Sequence, residues 1–257
     1  MKIIVNGCSF TNWVSAGNRR STTWGNHLSD TRNEKVINLA KKGSTNQEII
    51  DNTLANINDN EEFIILMQLS GLDRILINGQ RTPTVASHKK SSIFNWWNMS
   101  QNEPLTERWI SYFKNDYSEE NHLKSFLELL LKFQNEVKHK PNVRYRFFTG
   151  WDLFTKSDEE IDMWSETTKY VNVNKPLVKD EYKSCKKLFD EIDFNSFWFF
   201  ENSNIKYGGM IQWVQYNLHP SYWYRDYEAG DFHPSDFAHK RFTDEVITPL
   251  IKELYND

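Results

Sequence analysis

Lys2-Ile3-Ile4-Val5-Asn6-Gly7-Cys8-Ser9 opens with a short apolar run and closes on a glycine turn and a serine. An apolar run without polar alternation predicts a strand covered on both faces, the habit of a parallel sheet flanked by helices. Three later stretches repeat the signal: Lys35 to Leu39, the near-continuous run from Glu62 to Leu69, and Val143 to Thr149, where Arg144 and Arg146 alternate with Tyr145 and Phe147.

Helical patterns lie between and after these runs. Thr45 and Glu48 have capping-box spacing, and Ile49, Ile50, Leu54 and Ile57 follow at helical intervals. Leu123, Phe126, Leu127, Leu130, Phe133 and Val137 form an apolar stripe that stops before Pro141. Phe237, Phe242, Val246, Ile247, Leu250, Ile251 and Leu254 outline a last helix, with Pro249 expected to kink it. Strands alternating with helices predict an α/β fold: a three-layer α/β/α sandwich around a parallel central sheet. Residues 78–118 and 151–230 lack this periodicity and hold much of the aromatic content. They are expected to be insertions on a single domain spanning 1–257.

Composition narrows the function. The chain has 257 residues, 39% apolar and 26% charged, which is ordinary globular usage. A formal charge of −4 and the lack of a basic tract give no reason to expect nucleic acid. No run reaches membrane-spanning length, and the first apolar stretch is too short for a signal peptide, so a reducing cytoplasm is the expected compartment. Cys8 and Cys185 make neither a disulfide framework nor a metal-ligand spacing.

Three short stretches carry the chemistry. Ser9, just past the first strand, falls at the carboxyl edge of the sheet, where open α/β folds place their sites. Gly43, in the loop Asn38 to Asn46 after the second strand, falls at the same edge and can aim its N–H into the site. Gly230-Asp231-Phe232-His233-Pro234-Ser235 precedes the last helix, and one loop can present both a base and the acid that orients it. His219-Pro220-Ser221 duplicates the tripeptide of His233, but no acid precedes it at matching spacing. His239 lies about two turns further and is expected on the helix. Cys8 is a competing nucleophile that requires a lowered thiol pKa.

Together these stretches resemble the SGNH (GDSL-like) hydrolase family, whose fold is a flavodoxin-like three-layer sandwich. Gly7-Cys8-Ser9 resembles its first block, with Cys8 in the position usually held by Asp. Asn38 to Gly43 resembles the second block and Asp231 to Pro234 the fifth. The Gly-Cys-Ser-Phe-Thr form is similar to variants in virus-encoded and bacterial members. The resemblance implies Ser9 as nucleophile, His233 as base, Asp231 as orienting acid, and the Ser9 and Gly43 N–H groups as oxyanion donors. It implies acyl transfer from an ester, with neither metal nor organic cofactor.

The third block departs from the family pattern. In Gln68-Leu69-Ser70-Gly71-Leu72-Asp73-Arg74, Asp73 stands where an Asn usually supplies a third oxyanion donor. An ionised carboxylate cannot donate and repels a developing oxyanion. Either Ser70 or Arg74 supplies the missing donor, or turnover suffers. Asp73 and Arg74 are also candidate substrate contacts, as are Trp223 and Tyr224, because the second insertion runs straight into the His233 segment.

The expected function is hydrolysis of a small-molecule or glycan ester, with an O-acetyl group on a carbohydrate as one such substrate. The alternative is a non-catalytic SGNH-like component with a structural or glycan-binding role, for instance in a virus particle. A Ser9–His233 approach within about 3.5 Å separates the two.

Overall fold

The computed structural model describes residues 1–12, 23–32, 34–72, 74, 76–77, 80–81, 111–116, 118–150, 171–172, 177–178, 184–202, 205–226 and 231–256. Four parallel strands form the central sheet: β1 (Lys2–Asn6), β2 (Val36–Asn38), β3 (Phe63–Leu69) and β4 (Val143–Thr149), in the order β2-β1-β3-β4. Register is fixed by Ile4 opposite Ile37 and Ile65, and by Ile65 opposite Tyr145. The second strand is shorter than the expected 35–39 run. A further parallel contact joins Phe147 to Phe197 at the β4 edge, where the Trp198 N–H donates to the Phe147 carbonyl at 2.8 Å.

Side chains alternate across the sheet, so each strand feeds two cores. Ile4, Ile65 and Met67 pack with Ile49 and Ile50 of α2 (Asn46–Leu54) and with the stripe of α3 (Glu119–Val137). Ile3, Val5, Ile64 and Leu66 pack on the other face against Trp24 and Leu28 of α1 (Trp24–Thr31) and against the C-terminal helices. The result is the expected three-layer α/β/α sandwich. All six residues of the predicted α3 stripe are buried.

Local chemistry explains these elements. Thr45 caps α2 through a full capping box: its hydroxyl accepts the Glu48 N–H at 3.2 Å, and Glu48 Oε2 accepts the Thr45 N–H at 3.0 Å. The last helix runs as α6 (Asp236–Phe242), a wider π-type turn over Thr243–Ile247, and α7 (Thr248–Asn256). The irregularity lies just ahead of Pro249, whose missing N–H removes one rung of the ladder. Phe237, expected on the apolar face, is 42% exposed, because Ala238 takes the core-facing position one residue on.

The aromatic segments divide. Most of 78–118, including Phe94, Trp96, Trp97 and Trp109, lies outside the described residues, as does 151–170. Within 184–226, Cys185, Phe189 of α4 (Lys186–Glu191) and Phe197 join one core, and α5 (Met210–Asn217) supplies Met210, Ile211, Trp213 and Val214 to the other. These aromatic side chains largely build the sandwich itself. No helix among the described residues is long and apolar enough to cross a membrane.

Candidate active site

Strand order dictates where the site falls. The chain leaves β1 towards β2 on one side and returns to β3 on the other, so a crevice opens between the carboxyl ends of β1 and β3. Asn6 pairs with Met67, which puts Ser9 and Ser70 three residues beyond partners on adjacent strands.

The turn after β1 is tightly held. Asn6 donates its side-chain amide to the Ile49 carbonyl and to Thr53 Oγ1, both at 2.9 Å, and its Oδ1 accepts the Gly7 N–H at 2.8 Å. Thr11 and Asn12 N–H groups return to the Cys8 carbonyl at 3.0 and 3.1 Å, closing the chain around Ser9 and Phe10. The Thr11 hydroxyl donates to Gln68 Oε1 at 2.7 Å, and the Trp24 indole N–H donates to the same oxygen at 3.3 Å. Cys8 is fully buried in the core beside Val5 and Trp24, which removes it from any surface reaction as a nucleophile.

The loop after β2 lies against this turn. Leu39 and Lys41 N–H groups donate to the Val5 and Gly7 carbonyls, and the Asn12 amide donates to the Ala40 carbonyl at 3.0 Å. Gly43 adopts φ of 74°, a left-handed conformation that favours glycine. Among the described residues, neither the Ser9 nor the Gly43 N–H donates to a backbone carbonyl. Both residues stand in the turns that flank the crevice.

The loop after β3 is clamped by a residue that sequence reading missed. Asn46 Oδ1 accepts the Ser70 N–H at 2.7 Å, and its amide donates to the Ser70 carbonyl at 3.0 Å. Asn46 sits just after the capping Thr45, so its local sequence reads as helix start, and only the tertiary pairing shows its second task. Arg74, 7% exposed, donates from Nη1 to Ser70 Oγ at 3.0 Å. Ser70 and Arg74 therefore come together as a pair. Asp73 lies outside the described residues.

His233 reaches the site from the far end of the chain. It lies on β6 (Asp231–Pro234), paired antiparallel with β5 (Tyr224–Asp226). The pairing slips by one residue along β6, a bulge of the kind that re-aims side chains beside active sites. His233 Nε2 is 2.9 Å from Ser9 Oγ, well inside the 3.5 Å criterion, and its ring meets Phe10 edge to face at 5.1 Å. Ser9 is 3% exposed. Asp231 begins the same strand, and its side chain lies outside the described residues.

The neighbouring histidines do other work. His219 caps a short turn and bonds Ser221 Oγ at 2.9 Å. His239 is completely buried on α6, and its Nδ1 accepts the Trp24 N–H at 3.2 Å. Burial holds its pKa well below the usual imidazole range, with Arg225, His233 and His27 adding to the effect. Its helical spacing from Phe242 and Val246 was the available clue that it faces the core. Trp223 and Tyr224 also lie beside His233 in sequence, but they pack against the core: the Trp223 indole donates to the Leu218 carbonyl at 2.9 Å, and the Tyr224 hydroxyl accepts from Gln215 at 3.1 Å. Arg225 pairs with Asp236 at 3.4 Å.

No family model matches the sequence, and no curated protein matches it. Among solved structures, the chain is similar to a protein described as a lipolytic member of the G-D-S-L family from Desulfitobacterium hafniense, with 13% identity, 95% of each chain covered and a TM-score of 0.44. It is also similar to Axe2, an acetylxylan esterase from Geobacillus stearothermophilus, with 11% identity, 95% of this chain and 90% of that one covered, and a TM-score of 0.42. A phospholipase A1 from Streptomyces albidoflavus covers less, 74% and 70% of the two chains, at 12% identity and a TM-score of 0.32.

Proposed function

We propose that this protein is a serine ester hydrolase of the SGNH type, acting on small acyl esters, with O-acetylated carbohydrate as its substrate class. The observation that carries the reading is the 2.9 Å approach of His233 Nε2 to Ser9 Oγ at the β1/β3 crevice. Two side chains 224 residues apart in sequence meet where a nucleophile and its base have to meet.

The chemistry follows from these groups. Ser9 Oγ attacks the ester carbonyl while His233 Nε2 takes its proton. Asp231 fixes the tautomer of His233 and balances the imidazolium. The Ser9 and Gly43 N–H groups donate to the oxyanion, and Ser70 adds a third donor: Arg74 occupies a lone pair on its oxygen, so the hydroxyl proton can turn towards the crevice. The intermediate collapses as His233 returns the proton to the leaving alcohol, giving acyl-Ser9. Water, deprotonated by His233, then attacks the acyl carbon and releases the acid. The Gly-Cys-Ser-Phe-Thr turn supports a place among the virus-encoded or bacterial variants of the family.

A fluorophosphonate probe tests this reading. We expect one adduct, mapped by mass spectrometry to the peptide holding Ser9, lost in Ser9→Ala and slowed in His233→Ala. Equal labelling of wild type and Ser9→Ala contradicts it.

A further inference from the structure

His233 comes to Ser9 on a carrier outside the central sheet. It lies on β6, which pairs with β5 as a two-stranded ribbon. Such a ribbon is marginal by itself and gives an imidazole no fixed place relative to a nucleophile on another sheet. Asp231 does not supply that reference, because it begins the same strand and moves with the base. Ser235 and α6 hold the backbone beyond His233, but a backbone anchor leaves the side chain its rotamers.

Phe10 bridges this gap. It follows the nucleophile directly, in the turn closed by the Thr11 and Asn12 N–H groups on the Cys8 carbonyl. Its ring is 7% exposed and belongs to the core on the α1 side of the sheet. It meets the His233 ring edge to face, with centroids 5.1 Å apart and planes at 69°. That geometry lies within the range aromatic pairs prefer. The same ring abuts Gly150, just past β4: a Cβ there would stand 3.4 Å from Phe10 Cδ2 and 3.5 Å from Cε2. Gly150 is itself pinned. Its N–H donates to the Leu69 carbonyl at 3.2 Å, and its carbonyl accepts the Ile211 N–H at 3.0 Å. The Phe10 ring is therefore backed by the end of the central sheet and the start of α5, in a close-packed interior that yields little.

We propose that Phe10 is a positioning residue for the base: its ring carries the frame of the central sheet to His233 and holds Nε2 on Ser9 Oγ. One turn thus delivers both the nucleophile and the surface that aligns its base. The effect on rate rests on the ester-hydrolase reading; the ring contact does not.

The rate of Ser9 labelling by a fluorophosphonate tests it in wild type, Phe10→Leu, Phe10→Tyr, His233→Ala and the Phe10→Leu/His233→Ala double variant. Leucine fills space without a ring plane, and a misplaced catalytic group costs about 10- to 100-fold, so Phe10→Leu should label that much more slowly. Phe10→Tyr keeps the ring and should recover most of the rate. Positioning acts through His233, so Phe10→Leu should cost nothing further in the His233→Ala background. A merely structural role slows labelling by the same factor in both backgrounds. That result, or wild-type labelling by Phe10→Leu, overturns the proposal. Should Phe10→Leu fail to fold, Phe10→Met, whose side chain adapts to irregular space, carries the same comparison. Wild type that is never labelled sinks the hydrolase reading alone. The imidazole proton resonances of His233, assigned by their loss in His233→Ala, then decide the contact. They should shift in Phe10→Leu and return in Phe10→Tyr, and resonances unmoved by Phe10→Leu overturn the positioning.

Discussion

Thr11 Oγ1 donates to Gln68 Oε1 at 2.7 Å, and that bond ties the turn carrying Ser9 to the end of β3. The acceptor is completely buried and also receives the Trp24 indole. Thr11→Val removes one donor while leaving the carbonyl buried, and should cost about 1–3 kcal/mol. Urea denaturation measures the loss, and a midpoint equal to that of wild type would speak against the network.

Gly7 admits no side chain. A Cβ there would meet Thr11 Oγ1 at 2.2 Å, Gln68 Cβ at 3.0 Å and the Gln68 carbonyl oxygen at 3.1 Å. Gly7→Ala must push the nucleophile turn away from β3, so stability should fall by about 1–3 kcal/mol. Esterase turnover should fall with it. A variant with wild-type stability and turnover would show that the turn is less tightly packed than described.

The α2 cap separates helix stability from chemistry. Thr45→Ala loses the acceptor for the Glu48 N–H and should cost about 1 kcal/mol. Thr45→Ser keeps the oxygen and should recover most of it. Thermal denaturation of the two variants distinguishes capping from simple loss of volume.

His239 predicts a pH dependence. Its folded pKa lies well below its ordinary value, chiefly through burial, so the unfolded chain binds the extra proton first. The stability it contributes is complete above the unfolded imidazole pKa of about 6.5 and is lost as pH falls below it. Between pH 7 and 5, the unfolding free energy of wild type should fall more steeply than that of His239→Gln. Parallel curves would contradict the assignment.

Much of this was legible because it is local. The β1 and β3 runs, the Thr45–Glu48 box and the α3 stripe depend on neighbours within a few residues, and each appears as expected. The proposed triad members were legible too, through a family resemblance in short motifs. Contacts spanning the chain left no such trace: Gln68 meets Thr11 across 57 residues, and His239 meets Trp24 across 215. Asn46 looked like an ordinary first-turn residue because its partners are backbone atoms of another loop, which carry no sequence signature. Trp223 and Tyr224 adjoin His233 in sequence, but sequence proximity carries no sign of the Leu218 carbonyl and Gln215 amide to which their indole and phenol are bonded.

The central claim is that Ser9 and His233 act together on an ester, and steady-state hydrolysis of p-nitrophenyl acetate tests it most directly. Residues acting as one unit lose activity non-additively, so Ser9→Ala, His233→Ala and the double variant should each fall by about 10³-fold or more, to a similar residual rate. Hydrolysis by Ser9→Ala at the wild-type rate would contradict the account.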